Sequence, residues 1–133
     1  KLGFEIEQFG VDALMERQKR LQEFADKTGR FVFQPDIKEK DAALQGWEHA
    51  KKIVNSGSYD VVIMDEINCV LAKELIPIEE VLELVKNHSK VELVLTGRDA
   101  PKELMEAADY VNVVNGLKHP WQKGIVARRG IEY

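Results

Sequence analysis

The sequence is short of several things, and each shortage narrows what the protein can be. A single cysteine, Cys69, among 133 residues rules out an internal disulfide and suits a reducing, cytoplasmic setting. No apolar run exceeds five residues, so no stretch is long enough to span a bilayer as a helix, and no signal-peptide pattern stands at the beginning. Basic charge is outnumbered: 19 Lys and Arg against 23 Asp and Glu leave a formal net charge of −4. That balance provides no global positive field of the kind that holds nucleic acid, and an anionic ligand would need a local cluster instead. Four prolines, nine glycines and 8% aromatics provide sparse punctuation, with no low-complexity tract, linker or internal repeat. The first residue is Lys1 rather than methionine, which reads as a fragment, a processed chain or an incomplete record.

What is present is an ordinary globular composition, 44% hydrophobic and 32% charged, enough for a single domain over residues 1–133 with a real core. Leu2 to Phe9 alternates apolar and polar residues as a short strand would. Val11 to Gly29 follows as a helix with Leu14, Leu21, Phe24 and Ala25 on one face. Phe31 to Pro35 is aromatic and extended or looped. A second amphipathic helix is expected over Lys38 to Asn55, with Ala42, Ala43, Trp47, Ala50, Ile53 and Val54 inward, then a turn at Ser56 to Ser58.

The stretch YDVVIMDEIN, Tyr59 to Asn68, carries the first chemical signal. Its apolar core, Val61 to Met64 after Asp60, is continuous rather than alternating, which predicts a strand covered on both faces and so a parallel sheet. A helix opening at Pro77, a strand over Val91 to Leu95, a helix from Asp99 or Ala100 with Pro101 to about Ala108, and a strand over Tyr110 to Val114 complete the alternation. The fold class read from this is α/β, in three layers around a mostly parallel sheet.

In open parallel sheets, ligands bind beyond the carboxyl ends of the strands, and two such ends are unusual here. Asp65 and Glu66 close a buried strand in two carboxylates, the form of a Walker B motif that handles Mg²⁺. The competing reading is a helix N-cap by Asp65 with an exposed Glu66. Thr96, Gly97 and Arg98 close the second strand; Gly97 permits close approach to a ligand and Arg98 offers a planar fork of donors for phosphate or carboxylate. The alternative for Arg98 is a surface pair with Asp99 or Glu103. The tail holds the basic cluster Lys118, His119, Lys123, Arg128 and Arg129, either a loop closing over an anion or a solvated surface. His119 has no Cys or His neighbour at zinc-ligand spacing, and Cys69 reads as a packed cysteine rather than a nucleophile. Phe31 and Phe33 are either core or an aromatic wall for a flat ligand.

Taken together, YDVVIMDEIN, the spacing to IPIEEVLELV, then VELVLTGRDAPKELMEAADYV and LKHPWQKGIVARRGIEY resemble the P-loop-type ATP:corrinoid (cob(I)alamin) adenosyltransferases, over about the C-terminal three-fifths of the chain. The resemblance implies a RecA-like P-loop fold and a reaction in which a reduced corrinoid, Co(I), attacks the 5′ carbon of ATP to give a cobalt–carbon bond and triphosphate, in cobalamin biosynthesis or salvage. The cobalt is the nucleophile, so no nucleophilic side chain is needed. It implies Asp65, Glu66, Asn68, Thr96, Gly97 and Arg98 at the nucleotide, with Mg²⁺ at Glu66 and Asp65. Phe31 and Phe33 would lie against the corrin, where the family has Phe-x-Trp, and Lys118, His119, Lys123 and Arg128 on the rim. A flavoprotein or ferredoxin reductant, a possible homodimer and a cytoplasmic location follow from the same resemblance.

Two departures qualify it. No G-x-x-x-x-G-K-[ST] phosphate loop occurs within these residues, whereas the family carries one near its N-terminus. In P-loop folds the phosphate-loop strand lies in mid-sheet beside the Walker B strand, so the expectation is a truncated record of a complete enzyme. The alternative is a non-catalytic corrinoid- or nucleotide-binding, or subunit-pairing, relative. The helix-like stretch at about Val11 to Gly29 is also longer than the family usually has at that point.

Overall fold

Ile37–Ser56 forms helix α1 in the computed structural model, which describes residues 3–10, 37–88 and 90–125. The helix expected over Lys38 to Asn55 is therefore found with each end one residue further out. Trp47 and Val54, about two turns apart on one stripe, are its buried residues, and Leu44 and Ala50 are half-buried beside them.

The chain then runs through strand β1 (Val61–Met64), helix α2 (Ile67–Ala72), helix α3 (Ile78–Asn87), strand β2 (Glu92–Leu95), helix α4 (Lys102–Ala107) and a 3₁₀ turn at Pro120–Lys123. β1 and β2 pair in parallel, with Val61 opposite Glu92 and Met64 opposite Leu95. Parallel neighbours need a crossover, and α2 and α3 provide it. The ladder extends beyond the strands: the Glu92 N–H donates to the Asp60 carbonyl at 2.8 Å and the Thr96 N–H to the Met64 carbonyl at 3.2 Å. This is an α/β fold with a small parallel sheet, compatible with a P-loop NTPase-like architecture.

Successive strand residues point to opposite faces. Val62, Met64, Leu93 and Leu95 face the cluster made with Trp47, Val54, Leu71, Val81, Leu84 and Leu104. Val61, Ile63 and Val94 face the other way and stay exposed, Ile63 by 64%. The expectation that β1 is covered on both faces is thus met on one face only among the described residues. The reading of the apolar run as a strand of a parallel sheet agrees with the pairing of β1 and β2.

Prolines open two of the helices as expected. Pro77 and Pro101 stand at the N-caps of α3 and α4 with φ of −67° and −57° and extended ψ, the geometry proline presets. Helix α2 was not anticipated, because neither of its ends carries a conventional signal. Its N-cap, Glu66, is left-handed (φ 61°) with no side-chain cap. Past its C-cap Lys73, Glu74 (φ 54°) takes the left-handed position usually given to glycine. The Leu75 N–H then reaches the Val70 carbonyl at 3.1 Å and the Glu74 N–H reaches that of Leu71 at 2.9 Å. That bond pair is a Schellman turn, and it delivers buried Leu75 and Ile76 to the core.

Two expected strands are not found. Gly3–Phe9 is irregular and exposed, and Tyr110–Val114 likewise forms no regular element, with Tyr110, Val113 and Val114 largely exposed. A strand exists only by pairing, and among the described residues neither segment has a neighbouring strand. Glu7 and Phe9 instead touch α1. The Phe9 side chain packs over Gly46 so closely that a Cβ there would sit 2.9 Å from its own Cβ, and Glu7 pairs with His49 at 3.0 Å. The helix expected over Val11 to Gly29 and the segment Phe31 to Pro35 fall outside the described residues. Among the described residues, no helix is long and apolar enough to cross a membrane.

Helix α1 is tied to α3 by a polar contact at the edge of the core. Buried Trp47 donates its indole N–H to Glu80 at 2.6 Å, and Lys51 reaches the same Glu80 oxygen at 3.1 Å. These two bonds, the indole's first, hold the Glu80 carboxyl below its usual range. A depressed carboxylate stabilises the fold above the unfolded value of 4.5, and that contribution is lost as the pH falls through the lower folded value. Because the Glu80 side chain is 42% exposed, the charge is discounted by solvent. Glu80→Gln is therefore expected to lower stability at neutral pH by less than about 1 kcal/mol, a difference that closes on acidification. Glu80→Ala, which also orphans the buried indole N–H, costs about 1–3 kcal/mol. Urea unfolding of both variants between pH 3 and 7, roughly the carboxylate titration range, checks this.

Candidate functional site

The β1 and β2 ends lie side by side because the strands are parallel and in register, so the two unusual strand ends meet. Thr96, the residue after β2, joins them. Its Oγ1 donates to the Asp65 carboxylate at 2.5 Å and accepts the Glu66 backbone N–H at 3.0 Å. Its carbonyl accepts the Asn68 N–H at 3.1 Å. One residue thus fixes the Asp65 side chain, the Glu66 backbone and the first turn of α2. The N-cap alternative for Asp65 is not what forms: the N-cap position belongs to Glu66, and Asp65 turns to Thr96 instead.

Gly97 is required where it stands. Its φ of 129° is a left-handed value that L side chains rarely adopt, and a Cβ would lie 3.0 Å from the Asn68 Cβ and 3.2 Å from the Asn68 and Cys69 amide nitrogens. The chain therefore crosses directly over the first turn of α2. Asn68 is beneath this crossing, only 7% exposed, and its Oδ1 has no hydrogen-bond partner among the described residues. Of the expected nucleotide residues, Asp65, Glu66, Gly97 and Arg98 are exposed, Thr96 is half-buried and Asn68 is buried.

Arg98 makes no ion pair with Asp99 or Glu103 among the described residues, so the surface-pair alternative is not found. Its backbone N–H instead donates to the Cys69 sulfur at 3.5 Å. Cys69 is half-buried, and its thiol donates to Glu66 Oε2 at 2.7 Å. The reading of Cys69 as simply packed missed this contact. The signal was available: Cys69 follows Glu66 by three residues, a spacing at which side chains meet once the intervening turn is helical.

The donors at this end are the carboxylates of Asp65 and Glu66 and the hydroxyl of Thr96, all hard oxygens. Among the described residues, no group of three or more His, Cys, Asp or Glu gathers as a self-sufficient metal cage. Mg²⁺ prefers one or two carboxylates completed by water and phosphate oxygens, so the residues present fit that ion in the company of a nucleotide. Lys118, His119 and Lys123 lie on an exposed stretch around the 3₁₀ turn, where the His119 N–H bonds the Gln122 side chain at 3.1 Å. Phe31, Phe33 and Arg128 fall outside the described residues.

The family described as ATP:corrinoid adenosyltransferase BtuR/CobO/CobP matches this chain over residues 5–133. A corrinoid adenosyltransferase of Sinorhizobium is 34% identical over 107 residues, covering 77% of this chain and 50% of that protein. A corrinoid adenosyltransferase of Escherichia coli K12 is 30% identical over 114 residues, covering 84% of this chain and 58% of the relative. Corrinoid adenosyltransferase CobA of Salmonella typhimurium is 28% identical over 116 residues, with 84% and 58% covered. The chain spans about half the length of these curated relatives.

The Thr96 hydroxyl is the testable centre of this geometry. Thr96→Val removes its donor and its acceptor together and is expected to cost about 1–3 kcal/mol in chemical unfolding, while Thr96→Ser retains most of the stability.

Proposed function

The chain belongs to the ATP:corrinoid adenosyltransferase family, and from that premise we propose that it is the Walker B, rim and tail portion of an enzyme moving the 5′-deoxyadenosyl group of ATP to the cobalt of a reduced corrinoid. The observation that carries the reading is the meeting of Asp65-Glu66 with Thr96-Gly97-Arg98 at one end of the sheet, within a family match that covers nearly the whole chain.

In the proposed reaction the electron pair of Co(I) forms a bond to the ATP 5′ carbon. The bond from that carbon to oxygen breaks, and triphosphate leaves with the pair. No protein nucleophile takes part. The protein's work is positioning: aligning the 5′ carbon with the cobalt converts a meeting of two solutes into a reaction within one complex. Glu66 and Asp65 would hold Mg²⁺, which when bound would screen the polyphosphate charge. The Thr96 hydroxyl holds the Asp65 carboxylate and the Glu66 backbone N–H. Gly97 allows the backbone to approach the nucleotide, and the Arg98 guanidinium offers paired donors to an anionic group. Phe31 and Phe33 are assigned to the lower face of the corrin, and Lys118, His119, Lys123 and Arg128 to an anion-facing rim.

The same reading gives the complete domain a three-layer, RecA-like sheet with a phosphate-binding loop. It places the enzyme in the cytoplasm, served by a flavoprotein or ferredoxin reductant and able to pair as a homodimer.

Two experiments on the full-length protein test this reading. Glu66→Gln is expected to reduce adenosylation sharply with the fold intact by circular dichroism; wild-type turnover at saturating Mg-ATP overturns the assignment. Phe31→Ala with Phe33→Ala is expected to weaken the four-coordinate Co(II) signature of bound corrinoid in magnetic circular dichroism, and an unaltered spectrum removes both residues from the corrin.

A further inference from the structure

We infer that Cys69 is a positioning residue for Glu66: its thiol, itself held by the Arg98 backbone amide, sets the direction of the carboxylate. The inference rests on the magnesium reading of Glu66 given above. Three observations carry it. Glu66 is the N-cap residue of α2, yet its side chain caps no backbone N–H of that helix. Its carboxylate is instead met by the Cys69 thiol, with Sγ 2.7 Å from Oε2. That sulfur in turn accepts the Arg98 N–H at 3.5 Å, from a segment brought close by Gly97 crossing over the Cys69 amide.

The contacts form a chain, Arg98 N–H to sulfur and S–H to carboxylate, that runs from the end of β2 to the side chain proposed to face the ion. The Thr96 hydroxyl fixes the Glu66 backbone, but it leaves the side-chain torsions open. Glutamate has several of these, and an unheld exposed carboxylate samples many rotamers. A donor bonded to one oxygen selects among them and leaves the second oxygen to be turned outward. Sulfur, although a weak donor, suits this position because it also packs as a small hydrophobe in a half-buried site.

The test uses the full-length protein as wild type, Cys69→Ala, Cys69→Ser and Glu66→Gln. Mn²⁺ serves as the probe of the magnesium site, with binding followed by electron paramagnetic resonance in the presence of ATP and without corrinoid, so that no turnover is needed. In parallel, Mg²⁺ is titrated against adenosylation to separate its half-saturating concentration from kcat. Cys69→Ala is expected to weaken Mn²⁺ binding and raise the half-saturating Mg²⁺ by about three- to ten-fold with an unchanged melting temperature, and Cys69→Ser to recover most of the loss. Wild-type Mn²⁺ affinity in Cys69→Ala, beside lost affinity in Glu66→Gln, overturns the role of Cys69 and leaves Glu66 standing. Wild-type affinity in Glu66→Gln overturns both. If Cys69→Ala proves unstable, Cys69→Val decides: it is close in size but has no donor, and wild-type Mn²⁺ affinity in it also overturns the inference.

Discussion

The hydroxyl of Thr96 is the point on which the site depends. It is one oxygen atom that donates to Asp65 and accepts from Glu66, while the carbonyl of the same residue receives Asn68. Parallel strands bring their carboxyl ends together but do not aim the side chains there; a bridging hydroxyl between the ends does. Because its donor and acceptor are both engaged, it orders the two acidic residues relative to each other. The left-handed backbone of Glu66, unfavourable for a residue with a Cβ, persists because its N–H is bound there and its carbonyl accepts the first α2 bonds, at 3.0 Å from Cys69 and 3.3 Å from Val70. Strain at a strand end is tolerated where the surroundings over-determine it.

Much of this was legible in the sequence, for reasons that can be stated. The apolar run ending in Asp65 predicted a parallel strand, because continuous hydrophobicity does not arise on a half-solvated antiparallel one. Pro77 and Pro101 announced two helix starts, since proline presets the backbone there. Trp47 and Val54 fell on the expected stripe of α1. Helix α2 was hidden because its boundaries are two glutamates in left-handed conformations, Glu66 and Glu74, in place of a Ser, Thr or Asp cap and a glycine. The strands expected at Leu2 to Phe9 and Tyr110 to Val114 show the limit of alternation as a signal: periodicity tells which face would be apolar, but only a partner makes a strand. At the site, the residue types at both strand ends were readable, while the bonds from Thr96 to Asp65 and Glu66 needed the fold to bring residues about thirty positions apart into contact.

Electrostatics follow the same local logic. With a net charge of −4 the chain has no general attraction for anions, so an anionic ligand would have to be met by particular groups. The acidic and basic elements are separated along the sequence but adjacent in space, Asp65 and Glu66 on one strand end and Arg98 on the other. A bound cation at the first and an anion at the second would compensate each other, so neither strand end needs neutralising by other side chains. The Trp47–Glu80–Lys51 contact illustrates the other use of charge here: it sits at the margin of the core, where an indole N–H must be satisfied, and it steadies α1 against α3.

The uncovered face of the sheet bears on how such a protein behaves in the test tube. Val61, Ile63 and Val94 form an apolar strip, 42–64% exposed, on a two-stranded sheet whose outer edges are unpaired among the described residues. Unpaired edges and contiguous apolar surface are the ingredients of edge-to-edge association. Shielding that strip would remove the apolar surface through which copies of the chain could associate, leaving the acidic surface, with its net charge of −4, to keep them apart. Exposure of this strip is thus the property of the described sheet that most bears on self-association.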